Sequence, residues 1–258
     1  MWGTGISKDL TARRAGSFGS QAAIYAEHRP DYAAAGIRWA LAPLGAVDAP
    51  VVLDLGAGTG KLTDGLLAAG AEVIAVEPDA AMLAELVRRY PAARASAGTA
   101  EAIPLPDGSV DAVVAGQAFH WFDQDRAFPE IARVLRPGGV FAAFWNVDDD
   151  RVEWVAGLER VSHSEASFPP PAKDEPLPAH PLFAPFEQAE FPHVHRRTAD
   201  SLVRTIGTHS HTVVIPPDRR AALLDRIRDY LAATPETASG EFDLPLRTEV
   251  YRTVLRPH

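Results

Sequence analysis

The length, composition and charge of this 258-residue chain limit the classes of protein to which it can belong. With 47% hydrophobic and 23% charged residues it is typical of a globular protein, as one large domain or two small ones. The net charge of −9 argues against nucleic acid as a partner, and the absence of cysteine excludes disulfides and thiolate chemistry. No segment approaches about 18 consecutive apolar residues and no signal peptide is recognisable, so we expect a soluble, cytoplasmic protein without a membrane partner.

The first part of the chain predicts a helical cap followed by an alternating core. Residues 1–45 look helical and precede the first strand. In the core, residues 46–146, apolar runs predict strands at 51–55, 72–76, 93–97, 109–117 and 140–145, and amphipathic segments predict helices at 61–69, 80–90 and 125–135. This alternation is typical of right-handed βαβ units in a doubly wound α/β sheet.

Residues 147–186 interrupt that alternation. Seven prolines fall within FPPPAKDEPLPAHPLFAP, and proline at this density prevents regular helix or sheet. We therefore expect an extended insertion here, either a lid or a plain linker. Residues 187–258 regain order: FEQAEFPHVHRRT predicts a strand, residues 199–207 and 218–233 predict helices, and LPLRTEVYRTVL predicts the final strand.

The most specific motif directly follows the first predicted strand. Gly56, Gly58 and Gly60 form a G-x-G-x-G loop, and Glu77 ends the second predicted strand. A dinucleotide fingerprint would require a third glycine at position 61, where this chain has Lys61. A ligand with an adenosine and an amino-acid tail but no pyrophosphate fits the loop better, with Glu77 accepting hydrogen bonds from two ribose hydroxyls.

Several motifs together resemble the class I S-adenosylmethionine-dependent methyltransferases. They are VLDLGAGTGKLT, VIAVEPDAAML, AEAIPLPDGSVDAVVAGQAFHWFD and EIARVLRPGGVF, which follow in the family's order between residues 51 and 145. The chain is most similar to the small-molecule branch of type 11 methyltransferases that includes trans-aconitate methyltransferase-like proteins. The resemblance implies one Rossmann-like domain over residues 1–258, with a mostly parallel seven-stranded sheet, an N-terminal cap, an insertion after the fifth strand, and C-terminal elements that complete the acceptor pocket.

The resemblance also implies S-adenosylmethionine as cofactor and gives its binding residues. Asp54 and the glycine loop would hold the methionine portion, Glu77 the ribose, and the segment around Thr99 the adenine. Thr99 stands where many relatives have an aspartate, so this last role is open. The residues predicted to bind the cofactor are Tyr25, Arg29, Asp54, Gly56, Ala57, Gly58, Gly60, Glu77, Pro78, Thr99, Ala100 and Gln117.

The acceptor is expected to bind beside the sequence QAFHWFD, which is too apolar for a free surface loop. His120 is the candidate catalytic residue, as a base or as a hydrogen-bond donor. The alternative is that His120 does no more than order the loop. Methyl transfer from a sulfonium is an in-line displacement for which alignment and water exclusion can suffice, so the lack of an evident triad is no objection. The residues predicted to contact the acceptor are Phe119, Trp121, Trp145, Arg204 and His209.

Two pairs of histidines raise the question of a metal. His193 and His195, and His209 and His211, have the i, i+2 spacing that places two rings on one face of a strand, but no acidic residue accompanies either pair, and we predict no metal.

The functional prediction is methylation of a small, partly apolar molecule that is negatively charged or readily deprotonated, at a carboxylate or hydroxyl oxygen, by a monomer or homodimer. The alternatives are a non-catalytic S-adenosylmethionine-binding protein and a nucleotide-cofactor oxidoreductase.

Overall fold

The computed structural model describes residues 30–164 and 177–257 of the chain. Seven strands form one sheet in the order β3-β2-β1-β4-β5-β7-β6. Strands β1 to β5 are parallel, whereas β7 runs antiparallel to both β5 and β6. The strands are β1 (Val51–Leu55), β2 (Glu72–Glu77), β3 (Arg94–Ala97), β4 (Val110–Gly116), β5 (Leu135–Asp148), β6 (Glu187–Thr198) and β7 (Glu241–Val254). The predicted fold class, a doubly wound and mostly parallel seven-stranded sheet, is confirmed.

Helices cover both faces of this sheet. The helices are α1 (Ala34–Leu41), α2 (Lys61–Ala68), α3 (Ala80–Arg89), α4 (Gln124–Val134), α5 (Glu153–Ser162), α6 (Ala199–Gly207), α7 (Ser210–Val213) and α8 (Pro217–Ala233). One apolar cluster joins the sheet to α4 through Phe128 and Ile131, and the other joins it to α1 and α2 through Ile37 and Leu66. Because β1 and β4 contribute side chains to both clusters, their near-continuous apolar sequence is explained by burial on both faces.

The C-terminal strands extend beyond the parallel core. Strand β7 pairs with β5 only over residues 246–254, while residues 241–245 pair with residues 194–198 of β6 alone. This two-stranded extension and helix α6 share a third apolar cluster with α5 and α8, centred on Leu158, Ile206 and Ile227. We call residues 194–198, residues 241–246 and helix α6 the roof, because they lie over the carboxyl ends of the parallel strands.

The structure differs from the sequence prediction mainly where local patterns are weak. Helix α5 lies within residues 147–186, which were predicted to be an extended insertion without regular structure. The first half of this segment, which forms the helix, contains no proline, and the side chains of Val155 and Leu158 are buried. Strand β5 begins five residues earlier than predicted. Most of the predicted cap and residues 165–176 of the proline-rich segment lie outside the described residues.

Within the part of the chain that the structure describes, no helix has the length and apolar character needed to cross a membrane.

Candidate functional site

A cavity of about 400 Å³ lies at the carboxyl ends of strands β1 to β5, the usual position of ligands in doubly wound sheets. Its lining combines the loops after these strands with residues of the roof. The predicted site residues that line it are Asp54, Gly56, Ala57, Gly58, Glu77, Pro78, Thr99, Ala100, Gln117, Trp121 and His209. The geometry therefore brings together residues that are separated by as many as 155 positions in the sequence.

The glycine loop after β1 has a backbone that other residues adopt only with strain. Gly56, Gly58 and Gly60 have φ values of 68°, 56° and 90°. A Cβ atom on Gly56 would lie 2.8 Å from the Cβ of Ala118, and one on Gly60 would lie 2.6 Å from the Tyr90 ring. Gly56 and Gly58 line the cavity, whereas Gly60 does not and is the N-cap residue of α2.

Asp54 brings a buried carboxyl group to the floor of the cavity. Its side chain is fully buried, and its Oδ2 accepts a hydrogen bond of 2.6 Å from the hydroxyl of Thr63. Its Oδ1 has no hydrogen-bond partner among the described residues. Burial raises the pKa of Asp54 to about 7, and the nearby Glu77 acts in the same direction while the Thr63 hydroxyl opposes it. A buried acceptor without a partner is rare in a folded protein and is well suited to a cationic ligand group.

Glu77 ties the end of β2 to the glycine loop. Its Oε2 accepts a hydrogen bond of 2.8 Å from the backbone N–H of Gly58, and its Oε1 accepts one of 2.9 Å from the N–H of Asp79. Only 6% of the residue is exposed, and burial raises its pKa although both hydrogen bonds act against this. Each carboxylate oxygen retains acceptor capacity toward the cavity. The side chain is thus oriented by the backbone before any ligand arrives.

The loops after β2 and β3 form the side of the cavity next to Glu77. Asp79 caps helix α3 by accepting hydrogen bonds from the N–H groups of Ala81 and Met82. Thr99 forms an isolated bridge with Ala102, so the backbone of this loop is held in place. Asp79 and Met82 both line the cavity, and of the two only Met82 was not expected there.

Gln117 follows β4 with an unusual backbone. Its φ is 54°, which is uncommon for a residue other than glycine and frequent at functional sites. The backbone N–H donates to Phe144 and the side-chain Nε2 donates to the carbonyl of Asn146. Asn146 in turn donates to the carbonyl of Asp31 and accepts from Thr248. This network joins β4, β5 and β7 to the segment before α1, and no sequence pattern pointed to Asn146.

The segment after Gln117 divides between the core and the cavity. Phe119 is 1% exposed and packs against Phe128 and Phe141, with ring centroids 5.6 and 5.3 Å apart, so its side chain does not reach the cavity. Trp121 and Phe122 do line the cavity.

His120 lies next to them, but it is not among the lining residues. The residue is exposed overall, but its ring lies 4.8 Å from the ring of Trp121, tilted by 43°. The surrounding protein desolvates the imidazole, and this desolvation lowers the pKa of His120. It is therefore neutral at pH 7. Its catalytic role stays a prediction.

Two other predicted acceptor contacts lie elsewhere. Trp145 packs edge-on against Tyr251 at 5.5 Å, on the sheet face opposite to the side chain of Asn146. Arg204 is exposed on α6, on the face turned away from Leu202 and Ile206, which line the cavity. Tyr25 and Arg29 lie outside the described residues.

The roof supplies lining residues that sequence reasoning missed. They are His195 and Arg197 of β6, Leu202, Thr205 and Ile206 of α6, and Leu244 and Leu246 of β7. The alternation in HVHRRT places His193, His195 and Arg197 on one face of β6, a signal that could have identified Arg197. Among the described residues no three His, Asp or Glu side chains are grouped so that they could hold a metal ion.

Comparison with known proteins identifies the family. Residues 53–143 match the family model of the methyltransferase domain. The chain is 40% identical over 240 residues to an uncharacterized methyltransferase of Mycobacterium tuberculosis, covering 93% of this chain and 96% of the relative. The solved structure of a proposed type II methyltransferase from Anaeromyxobacter dehalogenans is 31% identical, with a TM-score of 0.61 over 89% of this chain and 99% of that one.

A shorter match, 45% identical over 35% of each chain, is to a malonyl-[acyl-carrier protein] O-methyltransferase of Methylococcus capsulatus. The fold, the strand-end cavity and these comparisons define a methyltransferase. More particularly, the chain belongs to the class I S-adenosylmethionine-dependent methyltransferase family, as the resemblance predicted.

Proposed function

We propose that this protein transfers the methyl group of S-adenosylmethionine to an oxygen of a small molecule, at a carboxylate or a hydroxyl. The observation that carries the proposal is the pairing of two buried carboxyl groups, Asp54 and Glu77, across a glycine loop at the strand-end cavity. The two groups have different hydrogen-bonding needs, and these match the two ends of the cofactor.

The amino-acid end of the cofactor suits the surroundings of Asp54. Oδ1 of Asp54 and the hydroxyl of Thr59 are buried without a hydrogen-bond partner among the described residues. The Asp54 oxygen would accept a hydrogen bond from an ammonium group, and the Thr59 hydroxyl would donate one to a carboxylate. The backbone at Gly56 approaches the cavity without a Cβ atom, which leaves space for the ligand chain.

The nucleoside end suits Glu77 and the loops beside it. Glu77 is fixed by two backbone N–H groups, and its remaining acceptor sites can receive hydrogen bonds from two adjacent ribose hydroxyls. Met82 and the backbone of Thr99 and Ala100 form the apolar and hydrogen-bonding surfaces for a purine ring. These surroundings are expected for the adenosine of S-adenosylmethionine rather than for the second nucleotide of a dinucleotide cofactor.

The bound cofactor would supply an activated methyl group on a sulfonium, and the chain's own residues would position the acceptor and exclude water. Gln117 and Asn146 form one edge of the cavity, which is held by the hydrogen bond that the Gln117 side chain donates to the Asn146 carbonyl. Trp121 and Phe122 supply an aromatic wall for an apolar acceptor. A carboxylate acceptor needs no base, whereas a hydroxyl acceptor would need one, and His120 is the predicted candidate.

A labelling experiment tests this function. The protein is incubated with S-adenosylmethionine carrying a radioactive methyl group and with separate pools of aliphatic carboxylic acids, phenols and amines. We expect label in the carboxylic-acid or phenol pool, with base-labile label indicating an ester. The partial match to an O-methyltransferase supports oxygen as the acceptor atom.

Label confined to the amine pool would contradict oxygen as the acceptor. Binding of S-adenosylmethionine without transfer to any pool would favour a non-catalytic binding protein.

A further inference from the structure

We propose that the acceptor is a hydroxyl compound with an apolar body, and that the imidazole of His195 binds its hydroxyl group and takes the proton as the methyl group is transferred. The inference rests on the proposed function, because it assigns the group of the same cavity that meets the acceptor. Of the two acceptor groups that the proposed function allows, it selects the hydroxyl. It also moves the role of base from His120 to His195.

His195 lies on the inner face of the roof. It lines the cavity from β6 and stands directly opposite Leu244 of β7, which lines the cavity as well. The alternation of side chains along β6 gives His193 the same face, but His193 does not line the cavity. Of the two histidines on this face, His195 is therefore the one in a position to meet a ligand.

The hydrogen-bonding capacity of His195 is not used by the part of the chain that the structure describes. Three polar side chains of the roof line the cavity, those of His195, Arg197 and Thr205. Nε and Nη2 of Arg197 donate to Ser201 and to the hydroxyl of Thr205, and this hydroxyl donates to the carbonyl of Ser201 at 3.0 Å. The ring of His195 has no hydrogen-bond partner among the described residues. His195 is thus the polar group that the roof leaves for a ligand.

The ring of His195 is neutral at pH 7. Desolvation lowers the pKa of His195 to about 4, and the charges of Arg197 and Lys61 act in the same direction. Asp31 opposes them and is paired with Lys61 at 3.0 Å. Because both cations are engaged by other groups of the protein, the acceptor meets a neutral imidazole, whose unprotonated nitrogen can accept a hydrogen bond from an uncharged hydroxyl.

The other lining residues of the roof define the remainder of the acceptor. Leu202, Ile206, Leu244 and Leu246 line the cavity and belong to the third apolar cluster. Their side chains offer no hydrogen-bonding group, so a charged acceptor would lose its hydration without compensation there. These surroundings favour an alcohol or phenol with a short aliphatic or aromatic body.

A weak base is sufficient for the transfer. A lone pair of the acceptor oxygen forms the bond to the methyl carbon, and the electrons of the carbon–sulfur bond remain on sulfur. The hydroxyl proton passes to the unprotonated ring nitrogen of His195, which later releases it to water. An oxygen that gains a methyl group while it still carries its proton is a far stronger acid than an imidazolium ion, so the proton moves even to a poor base.

Nitrogen NMR of the histidine rings tests the contact in protein saturated with S-adenosylhomocysteine. Added 4-propylphenol should shift the unprotonated ring nitrogen of one histidine, and 4-propylanisole, which has no hydroxyl to donate, should shift it much less. In His195→Phe this signal should be absent, and 4-propylphenol should bind about three- to tenfold more weakly. The matched control His193→Phe, on the same strand face, should retain the shift and the affinity.

Transfer of a radioactive methyl group to 4-propylphenol tests the proton step. His195→Phe should lower kcat by about 100-fold or more. His195→Gln keeps a hydrogen-bond acceptor without basicity, so it should bind the phenol within about threefold of the wild type and show the same loss of kcat. His193→Phe and His120→Ala should each change kcat by less than about threefold.

The inference is overturned if the wild type fails to bind or to methylate 4-propylphenol, if no histidine signal moves, or if either control variant loses as much as His195→Phe. Should His195→Phe not fold, His195→Gln decides, and an unchanged kcat in that variant overturns the inference. Label found only in carboxylic acids overturns the inference and leaves the proposed function standing. Failure of S-adenosylhomocysteine to bind the wild-type protein would instead overturn the proposed function, so the two failures are distinguishable.

Discussion

The two halves of the cavity differ in the kind of group that each presents. The strand-end half presents backbone and two buried carboxyl groups, Asp54 and Glu77, whereas the roof presents a buried arginine and apolar side chains. The acceptors of the strand-end half suit a ligand with hydrogen-bond donors and a cationic end, whereas the leucines of the roof offer only apolar surface. We propose that the two halves hold different ligands, cofactor and acceptor, which would meet where the halves join, beside Gln117 and Asn146.

The largest effect is expected from a methyl group on the glycine loop. Gly56→Ala combines the cost of a positive φ with a contact of 2.8 Å to the Cβ of Ala118, and should destabilise the protein by about 2–4 kcal/mol and weaken S-adenosylhomocysteine binding by about 100-fold or more. Gly70→Ala is the matched control, because Gly70 has a φ of 86° and open space around its Cβ position.

In Gly70→Ala the free energy of unfolding should fall by about 1 kcal/mol, with unchanged ligand binding. Chemical denaturation and calorimetry measure both quantities. Equal losses of affinity in the two variants would show that the loop's close approach to the ligand is unimportant.

A smaller effect, with a characteristic pH dependence, is expected at Asp54. Because its pKa is raised from 3.8 to about 7 on folding, the folded state binds more protons than the unfolded state between these values. The free energy of unfolding therefore falls as the pH rises from about 4 to 7, by a few kcal/mol, and the ionised carboxylate is then fully destabilising. Asp54→Asn should abolish this fall and be more stable than the wild type at pH 8.

The same substitution should weaken binding of S-adenosylhomocysteine by about tenfold at pH 8, since an amide is a poorer partner for an ammonium group. In the wild type, affinity should rise as Asp54 ionises toward pH 7, and in Asp54→Asn this rise should be absent. A variant less stable than the wild type at pH 8, or one with unchanged affinity, would contradict the role given to Asp54.

The smallest effects are expected at two residues that the sequence pointed to but that do not line the cavity. Arg204 is exposed and His120 does not line the cavity, so with a carboxylate acceptor, which needs no base, Arg204→Met and His120→Ala should each change kcat/KM by less than about threefold. A general base at His120 would instead cost about 100-fold in kcat and remove the acidic limb of the pH profile. Steady-state kinetics between pH 5 and 9, once an acceptor is found, distinguish these results.

The strand-end half of the cavity was predicted from the sequence better than the roof, because the two halves depend differently on local sequence. Strands β1 and β4 are buried on both faces and the glycine loop needs a special backbone, so local sequence carries both signals. Arg197 is brought to the cavity by pairing with β7, whose partner residue Phe242 is 45 positions away. Local sequence contains no record of that pairing, and the sequence prediction chose Arg204, in the last turn of α6, instead.

The aromatic segment shows a second limit of sequence reasoning. Composition alone predicted that Phe119 and Trp121 would both face the acceptor, but a short 3-10 helix at Phe119–Trp121 turns one into the core and the other toward the cavity. Which side chain of an apolar run faces the ligand depends on the local turn, and nothing in the composition of the run determines it.

A calorimetric titration of the wild-type protein with S-adenosylhomocysteine and with NAD tests the central claim most directly, that the strand-end half holds the nucleoside of S-adenosylmethionine. The account predicts one S-adenosylhomocysteine per chain and no NAD binding. In Glu77→Ala, loss of the ribose acceptors should weaken binding by about 1–3 kcal/mol, roughly five- to 150-fold. Binding of NAD in place of S-adenosylhomocysteine, or an affinity untouched by Glu77→Ala, would contradict it.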